Sequence, residues 1–270
     1  MPSLGQSFSF GFYELPVAAR MRAIRDAGFD DVMLWWGDEY SEADGAPREV
    51  FESAVKAGLR VRTAHFPTVE TPGLWREGAA GDAYERALIE ALRTSGERGI
   101  EHLVVHVTKG FETPPPNETG LRRMLHAVEA AEKYDVDIAL ENTRFLRYNQ
   151  YLYDHVDSDR MRFCFDCGHA NCYTPDEDPL GRFGDRFATM HLHDNRGALA
   201  GDEHMMPGYG SIDFEHLSAR LAELSPEAYN LESCYSARDE QQNLSMEEYL
   251  ARSHAALKLL VRGALKRDIA

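Results

Sequence analysis

The chain has no run of about eighteen apolar residues, which excludes a bilayer-spanning helix of ordinary length. Its first residues, MPSLGQSFSFGFY, have no basic region followed by an apolar block, so no secretory signal is expected. Cysteine is scarce, with four residues at 164, 167, 172 and 234. In a chain without a signal these read as reduced thiols of a cytoplasmic protein, not as a disulfide framework. Lys and Arg never form a run longer than two, and the formal net charge is −16. Nucleic acids and anionic membranes are therefore not expected partners, because both are bound through clustered cations. No Gly-rich phosphate loop follows the first predicted strand, which disfavours an open doubly wound sheet. No linker, low-complexity segment or composition shift divides residues 1–270, so a single domain is expected.

What is present is a regular alternation. Predicted strands at residues 7–13, 31–36, 60–67, 103–107, 136–141, 161–166, 188–192 and 228–232 are each followed by a helical pattern. The clearest helices are residues 15–27 (stopped at Gly28), 47–57, 82–98 (stopped at Gly99) and 117–134 (opened by Asn117). Residues 149–156, 179–187 and 213–224 are shorter helical segments. Residues 246–266 close the chain, with Glu247 and Glu248 in the first turn and Lys266 and Arg267 at the end. Strand–helix alternation implies parallel strands with right-handed crossovers. Eight units in a chain of 270 residues predict one closed (β/α)8 TIM barrel.

In such a barrel the chemistry sits at the C-terminal ends of the strands. Those ends carry metal-ligand side chains one after another: His65, His106, Glu141, Asp166, His191 and Glu232. His169 follows Asp166 by three residues, and Asp202 and His204 lie in the Gly-rich loop after the seventh strand. Imidazole and carboxylate together bind borderline divalent cations at neutral pH. Polar residues at single strand ends are ordinary; one at each of six consecutive, otherwise apolar strands predicts a metal site. Cys164-x-x-Cys167 has zinc-knuckle spacing, but an odd separation on a strand sends the two thiols to opposite faces. Both, like Cys234, read as buried apolar groups.

The strings ENT, FDCGHAN, HLHDN, GDEH, PGYGSIDF and LES resemble motifs of the xylose isomerase-like barrels, over nearly the whole chain and most specifically over residues 141–232. That superfamily includes sugar isomerases and epimerases, inosose dehydratases and apurinic endonucleases of the endonuclease IV type. The resemblance to the epimerases implies one metal held by Glu141, Asp166, His191 and Glu232. The resemblance to the endonucleases implies up to three metals, with His65, His106, His169, Asp202 and His204 added. It makes His191 the ligand and leaves His193 to support it or to touch substrate. Asp194 is then expected to orient an imidazole.

The expected function is a divalent-metal-dependent sugar, sugar phosphate or cyclitol isomerase or epimerase. Glu141 and Glu232 would serve as acid/bases around an ene-diolate. His169, His193, Arg196 and Trp35 would contact a small carbohydrate, and Arg144 is a further candidate for a hydroxyl or phosphate. Zinc, manganese, cobalt and magnesium all suit the donors. The alternatives are a multinuclear zinc phosphodiesterase and an inosose-type dehydratase. Homo-oligomers are common in the superfamily, and one is a possible state of this chain.

Overall fold

The computed structural model describes residues 1–36 and 47–266. The expected Arg267 at the end of the last helix lies outside them. β1 (Ser3–Ser7) leads to α1 (Val17–Asp26), and β2 (Asp31–Trp35) precedes α2 (Pro47–Lys56). β3 (Thr63–His65) reaches α3 (Ala79–Gly96) through a 3-10 turn, Thr71–Trp75. β4 (His102–Val105) precedes α4 (Glu118–Tyr134), and β5 (Asp137–Glu141) precedes α5 (Leu146–His155). β6 (Met161–Asp166) runs straight into α6 (Cys167–Tyr173) and then α7 (Pro179–Phe183). β7 (Phe187–His191) is followed by α8 (Phe214–Glu223), and β8 (Ala228–Leu231) by α9 (Ala237–Gln241) and α10 (Met246–Val261).

The eight strands form one sheet in the order β7-β6-β5-β4-β3-β2-β1-β8. The ring closes between β7 and β8, where Leu192 N–H donates to the Asn230 carbonyl at 2.9 Å and Glu232 N–H to the Leu192 carbonyl at 3.0 Å. This is the expected (β/α)8 barrel. One large apolar core fills the shell between sheet and helices. Inside the barrel a separate small cluster, Val104, Ala139 and Cys164, forms a dry layer. Each member stands two residues before His106, Glu141 or Asp166 and on the same face of its strand. The polar strand ends thus rest on an apolar floor.

Local chemistry sets the element ends. Asn117 caps α4 by accepting from Gly120 N–H at 3.0 Å, and Asp135 ends it in the left-handed region. Ser245 and Glu248 form a capping box on α10. That helix stops at Val261, short of the predicted 266, because Gly263 turns the chain at φ 65°.

The first strand also departs from expectation. The alternation of Phe8, Phe10 and Phe12 predicts a strand at 7–13, but β1 is the small, polar Ser3–Ser7. β1 lies so close to β8 that a Cβ on Gly5 would collide with the Asn230 side chain, so large residues are excluded there. The phenylalanines pack on the shell instead: Phe10 stacks on Tyr249 of α10 at 6.1 Å, and Phe12, at φ 57°, meets Tyr235 at 4.7 Å.

Candidate metal centre

Glu141, Asp166, His191 and Glu232 meet at the barrel mouth, all buried, with one ligand atom from each within 4.8 Å of all the others. His191 Nδ1 lies 3.0 Å from Glu232 Oε2, 3.2 Å from Glu141 Oε1 and 3.8 Å from Asp166 Oδ2. Three carboxylates are therefore buried together, and among the described residues no Lys or Arg pairs with any of them. Such a cluster needs compensating positive charge. Burial by itself would raise Glu141 and Glu232. Instead, His106 and His191 hold Glu141 well below the usual carboxylate range, and His191 depresses Glu232. The donor set of three oxygens and one nitrogen fits a divalent cation.

The surrounding imidazoles share one orientation. His65 Nδ1 donates to the Phe66 carbonyl at 2.8 Å, His169 Nδ1 to the Asn142 carbonyl at 3.0 Å, and His204 Nδ1 to the Glu232 carbonyl at 2.9 Å. A carbonyl only accepts, so each of these Nδ1 atoms carries a hydrogen. Each Nε2 then faces a carboxylate: His65 faces Glu141 at 3.1 Å, His169 faces Asp202 at 3.1 Å, and His204 faces Asp202 at 3.4 Å. His106 Nε2 lies 2.8 Å from Glu141 Oε2. A lone pair aimed at a carboxylate is repelled unless a proton or a cation lies between them. Fixing one nitrogen on a carbonyl and presenting the other is how proteins hold metal-binding histidines. At His204 burial lowers the imidazole, but Asp202 raises it to about 9, which favours a proton on the side facing that carboxylate.

His193 is brought further in than its sequence position implies. It is buried, its Nε2 lies 3.1 Å from both oxygens of Asp166, and its ring stacks on His204 at 4.0 Å and 10°. The site thus has another imidazole, beyond those the endonuclease resemblance implies. Space for it comes from Gly168, where any Cβ would strike the His193 ring. Gly168→Ala is expected to cost about 1–3 kcal/mol through overpacking and to weaken metal binding by displacing His193 from Asp166. Thermal unfolding and a metal titration check this; an unchanged titration would show that His193 does not matter to Asp166.

Asp194 does not orient an imidazole, contrary to expectation. Its buried carboxylate accepts four backbone N–H groups: Asn195 at 2.9 Å, Ile212 at 3.2 Å, Gly208 at 3.0 Å and Gly210 at 2.8 Å. Its main chain also pairs with Met205 in both directions at 2.8 Å. Gly210 admits no side chain there, because a Cβ would meet Asp194 and the Asn195 carbonyl. The string PGYGSIDF is therefore the helix-side half of a clamp that fixes the loop bearing Asp202 and His204.

The other candidates divide. Trp35 turns inward, its ring 4.3 Å from His65, whereas Trp36 turns outward and donates to Thr94 at 2.7 Å. Arg196 is 73% exposed and forks onto Glu203. It is engaged with its own loop instead of the cluster. Cys164 lies in the dry layer, Cys167 donates to the His193 carbonyl at 3.1 Å, and Cys234 donates to the Ser9 carbonyl at 3.1 Å. α6 is a helix beyond those the sequence predicts, and it positions His169: Asp166 caps it by accepting His169 N–H at 2.6 Å. The signal for it was Asp166 itself, an N-cap residue immediately before the short stretch CGHANCY.

A sequence profile described as "Xylose isomerase-like TIM barrel" matches residues 21–258. The uncharacterized protein y4fM of Sinorhizobium fredii is 26% identical over 295 aligned positions, covering 95% of this chain and 93% of that one. Among solved structures, a D-tagatose 3-epimerase-like protein overlays 97% of this chain and 98% of its own, with a TM-score of 0.76 and 20% identity. The D-psicose 3-epimerase of Clostridium cellulolyticum H10, solved with D-tagatose, overlays 98% and 99%, with a TM-score of 0.73 and 15% identity. At these identities the overlays establish a common fold. With the profile covering most of its length, the chain belongs to the xylose isomerase-like TIM barrel family.

Proposed function

We propose that this protein is a divalent-metal-dependent isomerase or epimerase of small carbohydrates, with Glu141 and Glu232 moving the proton. The observation that carries the reading is the convergence of these two glutamates, from β5 and β8, with Asp166 and His191 on one buried point. Solved structures that overlay the whole chain and are named as ketose 3-epimerases support the substrate class. Glu141, Asp166, His191 and Glu232 would hold manganese, cobalt, magnesium or zinc. When bound, that cation supplies positive charge against the substrate oxygens on which negative charge develops.

The rest falls to side chains. Glu232, whose side chain is 8% exposed where that of Glu141 is 0%, takes a proton from the carbon beside the carbonyl on its open side. Glu141, flanked by His65 and His106 on its second oxygen, returns a proton on the other face. His169 holds a substrate oxygen, and Trp35 supplies an apolar wall beside His65.

A second reading, a multinuclear zinc phosphodiesterase, is favoured by one specific observation. His65, His106, His169 and His204 stand around the primary four with their Nε2 atoms presented, those of His169 and His204 toward the Asp202 carboxylate. The net charge of −16 opposes it, since a nucleic acid backbone is repelled at long range. Metal analysis of the protein purified without chelator, run beside an abasic-site DNA cleavage assay, separates the two. We expect a firmly held ion and uncut DNA. Two or three zinc ions per chain together with strand cleavage would replace the isomerase reading. Loss of water from a cyclitol substrate would instead identify a dehydratase.

A further inference from the structure

Arg144 follows Glu141 by three residues, at the top of β5. Its guanidinium lies over the Tyr173 ring at 4.2 Å and over the Phe111 ring at 5.5 Å. One N–H donates to the Tyr173 hydroxyl at 2.7 Å, while Nε is buried and has no partner. Among the described residues no carboxylate pairs with Arg144, although Asp and Glu outnumber Lys and Arg by 45 to 29. Other arginines behave differently: Arg160, Arg182, Arg196 and Arg220 each hold an acid.

An arginine clamped between two rings has its orientation fixed in advance, and its remaining N–H groups are charged donors suited to the oxygens of a carboxylate or phosphate. The same Tyr173 ring stands 5.4 Å from the His169 ring, so the guanidinium is one ring removed from the metal centre. That is about the reach of an extended pentose or hexose. Phe111, 52% exposed, continues the wall to the rim. A neutral hydroxyl would leave the guanidinium without a counter-charge, whereas an anion would neutralise it. A strongly acidic chain also needs such a local cation if it is to admit an anionic ligand at all.

Building on the carbohydrate reading above, we propose that Arg144, held between Phe111 and Tyr173, anchors an anionic group at the far end of the substrate. The natural substrate is then a sugar acid or a sugar phosphate, with its reacting carbons at Glu141 and Glu232.

D-fructose, D-fructuronate and D-fructose 6-phosphate share one carbon skeleton and differ at the far end. Calorimetric binding to the metal-loaded protein should show at least one charged form binding about tenfold or more tighter than fructose. Which one binds tighter identifies carboxylate or phosphate as the group. Arg144→Gln should lose the preference, and Arg144→Lys should keep part of it by retaining the charge. Thermal unfolding confirms that both variants are folded, and Arg144→Lys serves if Arg144→Gln is not. Equal binding of all three sugars, no binding of either charged form, or a preference that survives Arg144→Gln would overturn the proposal. Solvent-deuterium exchange is scored separately. A charge preference without exchange keeps the anchor and removes the isomerase reading; exchange without a preference does the reverse.

Discussion

Glu232→Gln should lower solvent-deuterium incorporation into the substrate by a factor of roughly 10²–10⁴, the range ordinarily lost with a positioned acid or base. Glutamine keeps the shape and one oxygen but cannot accept the proton. It also removes one of three buried charges, so metal content must be measured in the same preparation. Because His191 Nδ1 stays within 3.2 Å of Glu141, three of the four ligands remain, and the variant should still bind metal, more weakly. Glu141→Gln should behave differently. Its Oε2 receives both His65 and His106, so an amide there disturbs two imidazoles as well as the cation. We expect it to lose exchange and metal together. Exchange retained in either variant would remove the assigned roles.

Chelation is the second large effect. With the cation gone, Glu141, Asp166 and Glu232 face one another with only imidazoles for compensation. A ligand present at a hundred times its dissociation constant stabilises the folded state by about 2.7 kcal/mol. For a domain of this size that corresponds to a rise in melting temperature of about 5 °C. Restoring manganese or zinc to the chelated protein should produce that rise, and the barrel should remain folded without it. Protons and the cation compete for the same imidazole nitrogens, so the metal-induced shift should grow as the pH is raised. A melting temperature indifferent to metal would mean that the cluster holds no cation tightly, and both enzymatic readings would lose their basis.

The parts of this molecule that the sequence makes legible are those where one residue type has one use. Asn117 opens α4 as expected because a side-chain acceptor before a helix has little else to do. The strand-end residues from His65 to Glu232 were legible because an apolar strand that ends repeatedly in ligand chemistry is uncommon. The first strand was not, because alternation records only that every second side chain is buried. Phe8, Phe10 and Phe12 are buried or partly buried in the shell beyond the end of β1. Asp194 and Arg196 show the same limit. An aspartate near histidines and an arginine near a strand end suggest chemistry, but each found a nearer partner: Asp194 the backbone of its own loop, Arg196 the carboxylate of Glu203. The place of His193 depended on the absence of a side chain at Gly168, twenty-five positions away, which no local pattern reveals.

The clamp at Asp194 has an evolutionary consequence. It ties the main chain at Asn195 on one side and at Met205, Gly208, Gly210 and Ile212 on the other. The segment between the ties, with Asp202 and His204, is therefore an exchangeable cassette. None of the four primary ligands lies within it, so its length and sequence are freer to vary than theirs. A lineage built on this barrel can gain or shed metal-binding capacity at its rim without passing through an unfolded ancestor, and so can move between chemistries that need different numbers of cations.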